Sequence, residues 1–326
     1  MKKALSHLII FSFCSAQISV VVENFILNGD KYIGQSLDGK RHGFGTYYYP
    51  NGDIYNGEWI DDKRQGKGEF TISISGDHYI GEFQNNAFHG NGIMNLKNGE
   101  NFEGEWENGK MNGSGIYTYI NGDKYEGEYK NGQKDGIGSY YFFNKDYYKG
   151  EWSNDLKDGK GVFVYVNGDR YEGEYRNGKM SGNGTYVFQN GEKYTGQWKN
   201  GKFDGQGSFI YSSGNKYEGG WKNDKKFGEG KYVYKNGESY SGQWVDDYRT
   251  GKGVYTYSNG DIYDGYFYKG KLTGQGTYTF ANKNIYSGGW KEDLRSGNGI
   301  LTYINGDKYD GEWKNNMMHG QGIFTH

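Results

Sequence analysis

The stretch "FEGEWENGKMNGSGIYTYINGD", Phe102 to Asp123, decides the fold. Inside it, "GEWENGKM" (Gly104 to Met111) fits the G-x-x-x-x-G-K part of a phosphate-binding loop, with the lysine in place. The match returns as "GEYRNGKM" at Gly173, "GQWKNGKF" at Gly196 and "GYFYKGKL" at Gly265. In none of them does a Ser or Thr follow the lysine to hold a magnesium ion. A nucleotide site needs one such loop between a strand and a helix. Four at regular spacing indicate a repeat.

Composition agrees. The 326 residues include 58 glycines, 34 tyrosines, 8 tryptophans and a single proline. Glycine costs roughly 1 kcal/mol per helical position, so such a chain does not build many helices. With a single proline and no G-X-Y period it is not collagen, and its aromatics supply apolar area that a disordered chain lacks. The net charge of −2 gives no electrostatic support for nucleic-acid binding. Cys14, the only cysteine, excludes a disulfide framework and a thiolate zinc site.

Aligning the glycines gives thirteen units, each opening on an aromatic from Tyr32, Tyr55 and Tyr79 to Tyr286 and Tyr309. The spacing is 23 residues, with one extra residue between Tyr55 and Tyr79, in "TISIS". Each unit reads aromatic-x-Gly-x-aromatic, then G-x-G, then alternating aromatics and a turn such as "NGD". All eight tryptophans occupy the second aromatic slot, which Ser36 alone leaves without a ring. Alternation puts the aromatic, glycine and second aromatic on one face of a strand, and Asn-Gly steps supply turns with positive φ. The unit is a β-hairpin. The expected register sets Trp106 opposite Gly113, Gly104 opposite Gly115 and Phe102 opposite Tyr117, with Gly92 on the other flank of the indole. Each indole then covers glycines on both neighbours, offsetting the weakness of glycine in a strand. Glu103, Glu105, Glu126, Glu128 and Lys160 fall on the opposite, solvated face.

These units resemble the MORN repeat (membrane occupation and recognition nexus), approximately YxGEWxNGKxHGxGxYxxxDG. "YNGEW" and "YEGEYRNGKMSGNGTYVFQNGE" stand close to it. The resemblance implies an all-β fold: an elongated, single-layer, twisted antiparallel sheet of tandem 23-residue hairpins. It implies a non-catalytic scaffold for protein partners, often at membranes or in cytoskeletal and ciliary assemblies, and without a cofactor. At about 4.8 Å per strand, thirteen hairpins predict a body roughly 120 Å long before twist shortens it. A radius of gyration near 20 Å by small-angle scattering would contradict this.

The expected organisation is residues 1–16 as a signal peptide or apolar tail, 17–31 as a capping strand, and 32–326 as the thirteen repeats. In "MKKALSHLIIFSFCSA", Lys2 and Lys3, the apolar run from Leu8 to Phe13 and the small residues Cys14 and Ala16 form a signal-peptide pattern. The alternative is an uncleaved tail that packs or anchors. The first predicts the secretory pathway, the second a cytoplasmic or cytoskeletal/ciliary place. Recovery of native protein beginning at Met1 would rule out cleavage. Two sequons, Asn112-Gly113-Ser114 and Asn183-Gly184-Thr185, would be available to glycosylation on a secretory route. In "ISVVVENFILNGDK" Val20 and Val22 replace the glycine pair.

Candidate chemistry is sparse. Glu103 with Glu105, and Glu126 with Glu128, form carboxylate pairs about 7 Å apart, as strand geometry requires. They repeat along an open sheet, which gives no reason to desolvate either acid. His42, His89 and His319 precede the first glycine of G-x-G, where Asn112, Asp135, Asp158, Ser181, Asp204 and Thr250 stand elsewhere; a side chain bonding the turn is expected. Two hairpins, about 19 Å, separate His42 from His89, so they do not share a metal. Turns in the middle of the array carry Arg176, Lys179, Lys199, Lys202, Lys222, Lys225 and Lys226, a row able to meet anionic lipid headgroups or a partner. At the last strand, Gly322, Ile323, Phe324 and Thr325 lack a following neighbour, and such an edge invites pairing with another chain, most simply as a homodimer. Three functions follow as expectations: a protein-binding scaffold, a peripheral phospholipid-binding module, and an accessory subunit that targets an enzyme on another chain.

Overall fold

The computed structural model describes residues 21–27 and 29–326, with side chains from residue 29. The expectations for Val20 and for residues 1–16 lie outside the described residues. All secondary structure described is antiparallel β, in strands of 7 to 10 residues. The residues group into two compact units divided after Gly159. Each is a succession of hairpins in which strands consecutive in sequence pair, as from Val21–Leu27 to Asp30–Leu37 to Lys40–Tyr48.

One repeat shows how the sequence makes the hairpin. Strand Asn101–Glu107 runs out and Lys110–Thr118 returns. The two residues between them, Asn108 and Gly109, have φ of 50° and 79°, as a two-residue type I′ turn demands. This turn type matches the twist of the flanking strands, so the hairpin closes without splaying. Phe102 faces Tyr117 and Gly104 faces Gly115, as expected, but Trp106 faces Met111 rather than Gly113. On its other flank Trp106 faces Gly90, not Gly92. The ladder shifts between Gly104 and Trp106 because the return strand carries two extra residues there. Gly113, at φ 78°, lets the chain make this bulge. The extra residue of the third connection lengthens strand Lys63–Ile72 by one pair, Ile72 with Asp77.

The opening tyrosine, not the tryptophan, fills the space left by the glycine pair. A Cβ on Gly196 would lie 2.7 Å from the Tyr194 hydroxyl oxygen, and one on Gly207 2.4 Å from it. The Tyr194 hydroxyl donates to the Gln197 carbonyl (2.8 Å), opposite the bulge. All twelve tyrosines in this position bond the carbonyl three residues on, within 2.7–3.2 Å. The indole reaches across to the preceding repeat instead. Trp198 Nε1 donates to the Gly184 carbonyl (3.2 Å), and the other seven tryptophans do the same. Tyrosine and tryptophan meet edge-on, with Trp221 5.1 Å from Tyr217 and 5.5 Å from Tyr194. The core is therefore a ladder in which each aromatic touches its own repeat and the one before.

Tyr129 takes the tryptophan slot of the fifth repeat, 5 % exposed, and its hydroxyl has no partner. An orphan hydroxyl costs about 1–3 kcal/mol. Tyr129→Trp is expected to raise the melting temperature, because the indole N–H reaches the Gly115 carbonyl as its homologues reach theirs. Thermal melts of the two proteins check this.

At the amino end, Val21 faces Ser36, Glu23 faces Gly34 and Phe25 faces Tyr32. Val21 and Glu23 thus hold the places of the glycine pair, one residue away from the expected Val20 and Val22. The edge strand starts its pattern out of step with the repeats, a displacement that a strand lacking glycine does not reveal.

Candidate interaction surfaces

Most polar side chains of the repeat are engaged within the sheet. Of the residues read as a solvated row, Glu105 caps the bulge. Glu105 Oε1 accepts the Ser114 N–H (3.0 Å), and Glu58, Glu82, Glu174 and Glu312 do likewise. Their place is set by the backbone, not by chemistry on a ligand. Glu103 and Glu126, two residues earlier, remain exposed.

Two kinds of clip recur between neighbouring hairpins. At the tips, Asp62 Oδ1 accepts the Arg41 N–H (2.9 Å) while the Asp62 N–H donates to the Arg41 carbonyl (3.1 Å). Asp155, Asp224, Asp247 and Asp293 accept in the same way. At the other edge, Asp261 Oδ1 accepts the Ala281 N–H (2.7 Å) and Oδ2 the Tyr278 hydroxyl (2.6 Å). Asp123 and Asp169 repeat this pattern with Phe143 and Tyr140, and with Gln189 and Tyr186. Burial opposes ionisation of all three carboxyls. The donated hydrogen bonds outweigh it, so their pKa values fall below the ordinary range. A lowered folded-state pKa means stability that is present above the unfolded value, about 3.9, and lost as pH falls through the folded one. Below about pH 4 the melting temperature is expected to fall steeply, and less so in Asp169→Asn/Asp261→Asn. Melts between pH 7 and pH 2.5 read this.

The slot before G-x-G bonds a turn, though that of the following repeat. Gln65 Oε1 accepts the Asn85 N–H (2.9 Å), and Asn112 and Asp135 serve Asn131 and Asn154. His42 and His89 carry buried Nδ1 atoms without a partner. Among the described residues no three His, Cys, Asp or Glu side chains gather as metal ligands. In the first sequon Asn112 is tied up by Glu107 and Asn131, whereas Asn183 is exposed.

Of the basic row, Arg176, Lys179, Lys199, Lys202, Lys222 and Lys225 are exposed on the face opposite the aromatics. They stand as directly facing pairs on three successive tips: Arg176 with Lys179, Lys199 with Lys202, Lys222 with Lys225. Lys226 does not belong with them. It faces Trp221, lies 5.5 Å over the Trp244 ring and pairs with Asp247 at 3.0 Å. Alternation alone separates it from Lys225. Sequence reasoning missed Phe227, 40 % exposed beside Lys222, whose Nζ is 4.9 Å from its ring. Its signal was legible, because every other repeat has a polar residue there.

On the same face of the first unit an open trough runs across the strands. Ile80, Ile93, Glu103, Ile116 and Glu126 form one wall, Asn91 and Ser114 the other, with glycine backbone as the floor. A smaller depression continues it towards Phe44 through the shared Ile80 and Asn91.

Within each unit, hairpin after hairpin of one pattern, joined by rings and clips, defines a tandem β-hairpin repeat protein. The sequence matches the MORN repeat family in thirteen successive segments, from 32–54 and 55–74 through 286–308 and 309–326. The chain belongs to the MORN-repeat family, whose repeat is of a non-catalytic type. No curated protein matches the sequence. Among solved structures, similarity reaches the SAS-4 (dCPAP) TCP domain of Drosophila melanogaster, solved in complex with a proline-rich motif of Ana2 (dSTIL). There the identity is 16 %, covering 46 % of this chain and 81 % of that one, with a TM-score of 0.30. A mutant TCP10 domain of Danio rerio CPAP matches at 10 % identity, 92 % and 95 % coverage and a TM-score of 0.15. A streptogramin B lyase matches at 12 %, 93 % and 94 %, with 0.14.

Proposed function

We propose that this protein is a scaffold that holds protein partners on the sheet face opposite its aromatic ladder. The observation that carries the reading is the division of labour within the repeat. Rings, glycines, bulge caps and clips are spent on joining hairpins, while the exposed positions of the other face vary from Ile80 to Glu103 to Lys202. A constant frame with variable exposed side chains is how repeat proteins present binding surfaces. Affinity purification of a tagged copy from its native cell, with imaging of the same tag, tests it. Partners lost on reversing exposed charges of that face support the scaffold. One stoichiometric enzyme would instead favour an accessory subunit that targets it. Recovery of the protein alone would sink both.

A second reading, contact with an anionic membrane, is favoured by the three facing cation pairs. Like charges directly opposite each other destabilise a sheet, and an anionic surface would relieve that cost. Phe227 stands among them as an aromatic able to enter the headgroup level. Each cation near such a surface contributes about 1 kcal/mol. Lys199→Glu/Lys222→Glu is therefore expected to reduce sedimentation with phosphatidylserine vesicles at least tenfold, and phosphatidylcholine vesicles to bind neither protein. Equal binding by the variant would end this reading.

The scaffold also has a candidate self-association edge. Strand Met317–Thr325 pairs with Lys308–Lys314 on one side, and all nine of its residues are exposed. Pairing of Gly322 to Thr325 with the same strand of a second copy would cover it. Deleting residues 309–326 should then change the oligomer seen by analytical ultracentrifugation. An intact protein that stays monomeric at tens of micromolar, with no partner at that edge, would refute the pairing.

A further inference from the structure

We infer that Arg249, beside Gly270, is a binding site for one acidic side chain of a protein partner. The inference rests on the scaffold reading only in taking the partner to be a protein, since this site lies at the hairpin tips on the aromatic side. Five cations over the aromatic ladder show what the site lacks: Arg41, Arg64, Lys134, Lys226 and Arg295. The backbone N–H of each donates to Oδ1 of an Asp or Asn at the next tip. Arg41 shows the full set of bonds. It gives its N–H (2.9 Å) and Nε–H (3.0 Å) to Asp62 Oδ1, and an Nη2–H to the Asp62 carbonyl (3.0 Å). Arg249 is placed in the same way. Its guanidinium lies 4.9 Å from the Tyr255 ring, Nη2 donates to the Gly270 carbonyl (3.0 Å), and its own carbonyl accepts the Gly270 N–H (2.9 Å). Glycine 270 has no side chain, however, so the N–H and Nε–H that converge on one carboxylate oxygen at Arg41 are left to a group from outside.

The surroundings say which anion fits. Arg249 and Gly270 line an open depression of about 290 Å³ together with Tyr234, Trp244 and Tyr248. Lys226 and Asp247 line it too, but they pair with each other at 3.0 Å. The guanidinium is therefore the charge left to match, and a monoanion matches it. A carboxylate suits the donors, because charge-assisted bonds to a guanidinium are the strong ones and its planar fork is shaped for them. The ring contacts and the bond to Gly270 already hold the side chain, so little freedom is lost when it pairs. Tyr248, 56 % exposed, offers a ring to residues flanking the carboxylate, a contact that a small inorganic anion leaves unused. The ligand is thus an Asp or Glu within a peptide segment that carries an apolar or aromatic neighbour.

Two variants test this without disturbing the fold. Gly270→Asp supplies the carboxylate from within. Its backbone, at φ 86°, is close to that of Asp62 at 65° and Asp247 at 69°, and the new Cβ would meet only Arg249 Nη2, at 3.9 Å. Arg249→Met removes the cation and keeps a side chain that the chain itself uses in this slot, as Met111 facing Trp106. The probe is the blocked peptide acetyl-Gly-Tyr-Asp-Gly-amide, with its Asn counterpart as control. In the ¹⁵N-labelled full-length protein, the Asp peptide is expected to move the N–H and Nε–H signals of Arg249, and the Asn peptide to bind at least tenfold more weakly. Gly270→Asp should melt at a higher temperature and lose the Asp peptide at least tenfold. In Arg249→Met the Tyr248 and Gly270 amides should not respond. In affinity purification from the native cell, Gly270→Asp should lose a partner that the unaltered chain retains. Equal response to the Asp and Asn peptides, undiminished binding by Gly270→Asp, or inorganic phosphate moving the Arg249 signals as far as the peptide does would each overturn the inference. If charge reversals on the opposite face release partners while Gly270→Asp keeps every one, the scaffold stands and this site falls.

Discussion

Replacing Gly196 by alanine will destabilise the hairpins around it by about 3 kcal/mol or more, although the change adds a single methyl group. The new Cβ would lie 2.5 Å from the Gly207 Cα, 2.6 Å from the Gln206 carbonyl oxygen and 2.7 Å from the Tyr194 hydroxyl oxygen. Two of these three are backbone on the partner strand, so relief requires the strands to part. Gly191→Ala is the control. It sits in a turn at φ 84° with nothing within 4 Å of the added carbon, so only the left-handed backbone penalty of about 1–2 kcal/mol applies. Thermal unfolding followed by tryptophan fluorescence compares them. Equal losses in the two variants would mean that the glycine pair is conformational in origin and not a seat for the ring.

Tyr217→Ala is expected to cost about 3–5 kcal/mol, the range for emptying a buried aromatic site. Tyr217 is fully buried. Its ring lies over Gly219 and Gly230 and touches Trp221 and Trp244 at 5.1 and 5.4 Å. Glycines cannot close the gap, because they have no side chain to move into it. Tyr217→Phe should lose only about 1 kcal/mol, the worth of the 2.9 Å bond from its hydroxyl to the Gly220 carbonyl. The fourth repeat makes this substitution naturally with Phe102, which is 2 % exposed. Denaturant titrations of the three proteins check the order. A phenylalanine variant as damaged as the alanine one would assign the stability to the hydrogen bond instead of the ring.

The surface was less legible than the frame. The row of turn cations was visible as composition, but the facing of Arg176 with Lys179 and the removal of Lys226 to the aromatic side follow from register. The trough was not visible at all, since Ile80, Ile93 and Ile116 are distant in sequence and meet only because the Gly-x-Gly pattern aligns their strands. The glutamates show the same limit from the other side. Glu103 and Glu105 look equivalent in the sequence, yet one caps a bulge and the other is free for solvent.

By itself the sequence determined the hairpin, its turns, its thirteen copies and the face on which the repeating aromatics lie, because all of these depend on local pattern: alternation by two, Asn-Gly steps and a 23-residue period. Tertiary structure alone decided that Trp106 faces Met111 and that Tyr194, not Trp198, fills the glycine pair between Gly196 and Gly207. The reason is parity. A bulge of two residues shifts the register without exchanging the faces of the strand, so the pattern of apolar and polar residues reads the same before and after it. What separates the two registers is the positive φ of Gly113, the carboxylate of Glu105 bonded to Ser114 N–H, and a tyrosine hydroxyl meeting the carbonyl opposite the bulge. The carboxylate bond joins residues nine apart on two strands, and it exists only once the strands have paired.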